Sequence, residues 1–105
     1  MAKLIPLEHP GIILKEEFIK PLGLSNYKVA KATGISEVTI GRIVKGSQPI
    51  TPNTGLRLAK FFGLSDDYFV KIQMQYDVDE VKQKEGKKIG KIIRFTPKEK
   101  RLLEA

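Results

Sequence analysis

The sequence predicts an all-α protein: one five-helix domain, at residues 1–84, followed by a basic C-terminal extension at residues 85–105. Three observations support this prediction. Hydrophobic residues make up 41% of the 105-residue chain, which suffices for one modest core. Apolar residues recur at helical spacing between residues 10 and 80. Serine, threonine, proline and glycine stand where helices would begin and end.

The first predicted helix begins near Pro10, because the first turn of a helix tolerates a residue without an N–H group. Its apolar positions are Ile13, Leu14, Phe18 and Ile19. Pro21 breaks the pattern, and Gly23 offers a glycine exit from the helix.

The second and third predicted helices, at about 25–32 and 36–45, flank a tight turn. Ser25 and Ser36 can cap them, Gly34 can adopt a positive φ in the turn, and Ala30 is small where the helices cross. The apolar contacts between the two helices are assigned to Val29, Ile35, Ile40 and Ile43. This combination predicts a DNA-binding helix-turn-helix. The alternative is an ordinary helical hairpin with a glycine turn.

The fourth predicted helix starts at Thr51 and Pro52, as N-cap and first helical residue, and ends at Gly63. The fifth begins after residues 65–67, where two carboxylates favour a helix N-terminus, and extends to about Lys84. Its apolar stripe is either core packing or a dimer seam. The stripe consists of Tyr68, Phe69, Ile72 and Tyr76.

In the extension, Gly86 and Gly90 are predicted to interrupt the helix. Residues 88–95 are rich in β-forming residues and predict a short strand. A capping box at 96–99 predicts a final helix at about 97–104. Residues 82–105 carry a net charge of +6, against +1 for residues 1–81. Three roles are therefore open for the extension: it can bind DNA phosphates, add a strand to a partner's sheet, or only keep the protein solvated.

Composition excludes several classes of site. The chain has no cysteine, so disulfides and thiolate metal sites are absent, as suits the reducing cytoplasm. No apolar run approaches the roughly 18 residues that span a membrane, and we expect no secretory signal at the N-terminus. The single histidine, His9, suits a helix cap or a surface group better than a catalyst or ligand. We expect no metal, no cofactor and no enzymatic activity.

The outer face of the third predicted helix carries the candidate base-reading residues. Arg42 can bond to guanine O6 and N7, while Thr39 and Val38 can place a methyl group against thymine. Glu37 can accept from cytosine N4 or simply favour the helix N-terminus. Phosphate contacts are assigned to flanking groups, for which a solvated surface role is the alternative. The predicted DNA-binding set is Asn26, Tyr27, Ser36, Glu37, Val38, Thr39, Arg42, Lys45, Ser47 and Gln48.

Three segments resemble the HigA/VapI-type antitoxins, a branch of the Cro/C1-type (XRE) helix-turn-helix family. They are residues 9–25, residues 44–52, and residues 56–63 with 73–77 downstream; together the likeness covers about residues 7–80. The chain departs from that branch at Ile12, in lacking tryptophan, and in its basic extension.

The resemblance implies a lambda-repressor-like fold and a protein that binds an operator in its own promoter as a homodimer. It also implies a second partner, a small ribonuclease toxin that the protein neutralises. One alternative is an XRE-type repressor with no toxin partner. Another is an inhibitor subunit with degraded DNA binding, against which the intact turn and Arg42 argue.

Overall fold

The computed structural model describes residues 8–97, and five helices make up its regular structure. Helix α1 spans Pro10–Ile13 and continues without a break as a π-helical stretch over Leu14–Ile19. The other helices are α2 (Asn26–Thr33), α3 (Glu37–Val44), α4 (Pro52–Phe62) and α5 (Tyr68–Gly90). The described residues contain no strand. The predicted all-α class with five helices is confirmed.

The first helix widens because its hydrogen bonds skip one residue. The Lys20 N–H donates to the Lys15 carbonyl oxygen at 2.9 Å, five residues back. The wider turn allows Leu14 and Ile19, which are five residues apart, both to face the core. Gly23 then ends the segment with a φ of 65°, as the predicted glycine exit requires.

Three helices begin with the predicted hydroxyl caps. Ser25, Ser36 and Thr51 each accept a bond from the backbone N–H three residues on, at 3.0, 3.1 and 3.3 Å. Each cap satisfies one of the N–H groups that a helix start leaves without a partner. These contacts fix where α2, α3 and α4 begin.

The core lies where all five helices meet, and Phe69 is at its centre with no exposed surface. The Phe18 ring lies 5.5 Å from the Phe69 ring, and Tyr68 and Ile72 pack against the same cluster. The core interpretation of the α5 stripe is thus confirmed for these residues. The buried apolar members are Leu14, Ile19, Val29, Ala30, Ile35, Ile40, Ile43, Val44, Ile50, Leu58, Ala59 and Phe69.

Helix α1 crosses α3 at Gly11. A Cβ on Gly11 would overlap the Ile43 carbonyl oxygen, so only glycine allows the two backbones to approach this closely. This contact holds α3 against the body of the domain from the side opposite to its exposed face.

Two predictions for the C-terminal part were wrong. The glycines do not interrupt the helix: α5 passes through Gly86 and ends at Gly90, beyond the predicted end at about Lys84. Glycine lowers helix propensity by only about 1 kcal/mol, and the surrounding lysines and glutamates favour helix. The predicted strand at 88–95 is absent, because residues 88–90 end α5 and no second strand is present in the described part to pair with residues 91–95.

Two further predictions concern the start of α5 and the C-terminal end of the chain. Asp67 is the N-cap of α5, but its side chain makes no capping bond and pairs instead with Lys71 at 3.2 Å. The predicted final helix at 97–104 lies, apart from Pro97, outside the described residues.

Candidate nucleic-acid interface

The turn between α2 and α3 is built by local hydrogen bonds. Gly34 has a φ of 80°, and its N–H donates to the Ala30 carbonyl oxygen at 2.9 Å. The Thr33 hydroxyl donates to the Val29 carbonyl oxygen at 2.7 Å and accepts from the Ile35 N–H at 3.2 Å. The predicted turn at 33–35 is confirmed, and Thr33 supports it in a way the sequence analysis did not identify.

Arg57 braces this turn from α4. Its Nη1 donates to the Thr33 carbonyl oxygen at 2.9 Å, and its Nε donates to the Asn53 side-chain oxygen at 2.8 Å. The Asn53–Arg57 spacing of four residues is visible in the sequence. The contact with Thr33 is not, because it joins residues 24 positions apart.

Helix α3 presents one face to the core and the opposite face to solvent. Ile40 and Ile43 are fully buried, whereas the Val38 side chain is 62% exposed and Arg42 is also exposed. Within residues 8–97 the Arg42 guanidinium has no ion-pair partner. A guanidinium group on an exposed helix face can reach a base edge without first breaking a salt bridge.

Ser36 and Thr39 are linked at the start of α3. The Ser36 hydroxyl donates to Thr39 Oγ1 at 2.8 Å and accepts from the Thr39 N–H at 3.1 Å. Ser36 is therefore committed to the helix start. The Thr39 hydroxyl accepts this bond and keeps its own hydrogen, so it can donate to a base acceptor. Glu37 is exposed in the same turn.

Ser47 caps the other end of α3. Its N–H and its hydroxyl both donate to the Arg42 carbonyl oxygen, at 3.0 and 3.1 Å. The predicted phosphate bond from the Ser47 hydroxyl would compete with this cap. Gln48 is half-buried in the loop that follows.

A groove of about 660 Å³ runs between α1, the start of α2 and the end of α3. Asn26 and Lys45, both predicted phosphate contacts, line this groove together with Lys15 and Lys20. The Lys20 ammonium is paired with Glu16 at 3.3 Å, whereas Lys15 and Lys45 have no ion-pair partner within residues 8–97. These two ammonium groups beside a helix N-terminus make the groove attractive to an anion. Tyr27, the next predicted contact, is 56% exposed. Lys15 and Lys20 were missed because the fold alone brings α1 next to α2.

The loop after α3 is anchored from α5. The Gln73 side chain is buried, and its oxygen accepts from the Ile50 N–H at 2.9 Å while its amide donates to Asp77 at 2.9 Å. These bonds satisfy a buried backbone donor that the loop leaves open. They hold Lys45, Ser47 and Gln48 in place beside α3.

His9 is the N-cap of α1. Its Nδ1 accepts from the Gly11 N–H at 2.9 Å, and its ring lies edge-on to the Tyr76 ring at 5.2 Å. Partial burial lowers the pKa of His9, while Asp77 and Glu80 oppose that shift. Of the two roles predicted for His9, helix cap or surface group, the structure confirms the helix cap.

Two classes of site are absent from residues 8–97. No three or more histidine, cysteine, aspartate or glutamate side chains in this part of the chain are placed to share a metal ion. None of its helices combines the length and the apolar character needed to cross a bilayer.

Comparison with known sequences identifies the family. The profile of the helix-turn-helix family matches residues 14–69, which include the whole α2–α3 unit. The chain belongs to the helix-turn-helix family. Virulence-associated protein I of Dichelobacter nodosus is 40% identical over 79 residues, which cover 75% of this chain and 73% of that protein.

Solved structures of two antitoxin-family proteins match most of the chain. An addiction module antidote protein of a HigA family from Coxiella burnetii is 36% identical, with a TM-score of 0.79; the match covers 88% of this chain and 100% of that one. Pseudomonas aeruginosa antitoxin HigA, solved with the higBA promoter, is 27% identical, with a TM-score of 0.80 and coverage of 87% and 100%. The resemblance to HigA/VapI-type antitoxins is confirmed.

Proposed function

We propose that this chain is a non-enzymatic, cytoplasmic antitoxin that represses its own operon by binding operator DNA and neutralises a ribonuclease toxin. The observation that carries the proposal is the outer face of α3, where Val38 and Arg42 are exposed and Thr39 is half-buried, opposite the buried Ile40 and Ile43. The match to an antitoxin solved with promoter DNA supports the same assignment.

In this proposal α3 lies in the major groove and Arg42 reads a guanine through its O6 and N7 atoms. Thr39 donates to a neighbouring base acceptor, and Glu37 accepts from a cytosine amine or favours the helix start. Phosphates are bound by groups that flank the reading face. One set of contacts comes from Asn26, Tyr27, Lys15 and Lys45 around the groove. A second set comes from Gln48 and from the Ser47 hydroxyl, which exchanges its bond to the Arg42 carbonyl oxygen for a bond to phosphate.

The decisive test is Arg42→Ala on the DNA upstream of the protein's own coding sequence. We expect operator binding to weaken by about 1–3 kcal/mol, with relaxed preference at one base pair. The matched control is Lys71→Ala, which removes the same charge from exposed α5 surface. Equal affinities and equal base preferences for the two variants would show that Arg42 is not a reader.

The toxin half of the proposal is tested with the neighbouring open reading frame. Expression of its product alone should arrest growth and degrade messenger RNA, and co-expression of this chain should restore growth. A neighbouring product without ribonuclease activity would favour the alternative, an XRE-type repressor with no toxin partner.

Homodimerisation is proposed through the outward face of α5. Met74, Val78, Val81 and Ile89 lie along this face at intervals of one or two helical turns, and all four are exposed. They point away from the core-facing side that carries Phe69 and Gln73. An antiparallel pair of α5 helices centred on Val81 would cover them in two copies at once.

Charge favours the antiparallel arrangement. Asp77 and Asp79 precede Val81, whereas Lys82 and Lys84 follow it on the same two flanks. Each carboxylate of one copy then meets a lysine of the second copy.

We expect Val81→Asp to shift the protein from dimer to monomer in sedimentation, because two carboxylates would meet at the two-fold axis. Gln83→Asp is the matched control, since it adds the same charge on the opposite side of α5 and should remain dimeric. A wild-type monomer, both free and on the full operator, would refute the dimer.

A further inference from the structure

Gly41 stands in the middle of α3, and no contact within the described chain requires a glycine there. Its φ is not positive, unlike those of Gly23, Gly34, Gly46 and Gly63. A Cβ added to Gly41 would meet no heavy atom within 4 Å outside its own stretch of helix. Glycine nevertheless weakens a helix relative to alanine, by enlarging the conformational entropy of the unfolded chain.

The position of Gly41 places this open space on the proposed reading side of α3. Gly41 lies three residues after Val38 and four before Lys45, so the three positions form one ridge along the helix. Val38 and Lys45 are exposed, and Gly41 is half-buried between them. The missing side chain therefore leaves a notch in that ridge, with the apolar Val38 side chain at one end.

We propose that Gly41 is a specificity-determining residue whose notch accepts the C5-methyl group of one thymine in the operator. The thymine methyl is the apolar group that bases display in the major groove, and Val38 supplies an apolar wall for it. Contact at the α3 backbone lets the helix sit deeper in the groove than a side chain at residue 41 would permit. This inference rests on the proposed DNA binding by α3.

Two changes test the contact from both sides. Gly41→Ala adds a methyl to the protein, and deoxyuridine in place of thymine removes a methyl from the operator. On the thymine operator, Gly41→Ala should bind about tenfold more weakly than wild type, the usual effect of overfilling a packed contact. Scanning deoxyuridine through one half-site should reveal one position where this difference disappears. There the wild-type protein itself should bind about fourfold more weakly, since it loses one buried methyl contact.

Stability separates this effect from damage to the fold. Gly41→Ala should raise the melting temperature by roughly 2–8 °C, as expected when alanine replaces a helical glycine whose added Cβ would meet no neighbour. Gly86→Ala is the matched control, because Gly86 is also within a helix and a Cβ there would meet nothing within 4 Å. That control should gain similar stability and keep wild-type operator affinity.

Unchanged operator affinity for Gly41→Ala would overturn the inference while leaving the proposed DNA binding intact. A loss that persists with deoxyuridine at every position would also overturn it, because the notch would then not hold a thymine methyl. A wild-type protein that binds no sequence specifically would refute the proposed function itself, and the inference with it.

Discussion

At the scale of single residues, His9 performs a task that depends on its protonation state. Its Nδ1 must be unprotonated to accept the Gly11 N–H, and partial burial disfavours the charged imidazolium. Desolvation lowers the pKa of His9 below 6.5, and Asp77 and Glu80 only partly offset this effect. The unfolded chain therefore takes up a proton at a higher pH than the folded protein does.

It follows that the stability contributed by His9 is fully present above about pH 6.5 and is lost as the pH falls through the lower pKa of the folded state. His9→Asn keeps an N-cap that does not titrate in this range. Urea unfolding at pH 7.5 and pH 5 should show a larger loss of unfolding free energy for the wild type than for His9→Asn. Identical losses would mean that His9 is not the group responsible.

At the scale of elements, one side chain of α5 determines how the loop after α3 is held. Gln73 bonds to the Ile50 N–H and to Asp77 from a buried position, whereas the exposed Gln75 bonds only to Asp79 among the described residues. The two glutamines lie on the same helix but differ in burial. The same substitution at Gln75 is therefore a control for the substitution at Gln73.

We expect Gln73→Met to lower the free energy of unfolding by about 1–3 kcal/mol, because the buried Ile50 N–H then has no acceptor. Gln75→Met should change it by less than about 0.5 kcal/mol. Denaturant titrations of both variants measure the difference. If the two substitutions prove equally mild, the Gln73–Ile50 bond does not secure the loop.

At the scale of the whole molecule, positive charge is concentrated at one end. Residues 82–105 hold a net charge of +6, and α5 carries the first part of this charge, up to Gly90, on a continuous helix. A helix holds its lysines at defined positions relative to the DNA-reading domain. We propose that the C-terminal part of α5 adds phosphate contacts to those proposed for the groove beside α2.

Replacing Lys87, Lys88 and Lys91 with glutamine should make operator binding less sensitive to salt. The slope of log affinity against log salt should decrease by about 0.9 for each phosphate contact that is lost. The comparison variant replaces Ile92 and Ile93, both exposed, with serine and leaves the charge unchanged. An unaltered slope in the lysine variant, with lost toxin binding or dimerisation in the isoleucine variant, would assign this region to a protein partner.

Local signals in the sequence predicted most of the fold correctly. Ser25, Ser36 and Thr51 cap helices through bonds that span three residues, and Gly34 and Gly63 need only their own backbone angles to end them. The apolar spacing similarly identified the buried face of α3, and therefore its exposed face. Such features depend on neighbours along the chain, so the chain order alone reveals them.

Tertiary structure determined the features that depend on distant residues. Arg57 reaches the α2–α3 turn, Gln73 reaches Ile50, and Lys15 joins Lys45 in one groove, each across more than 20 positions. The extent of α5 also escaped prediction, because β-formers become a strand only when another strand pairs with them, whereas a helix forms its backbone bonds within itself. Contacts between residues far apart in the chain arise from packing of the helices around Phe69, which no local pattern specifies.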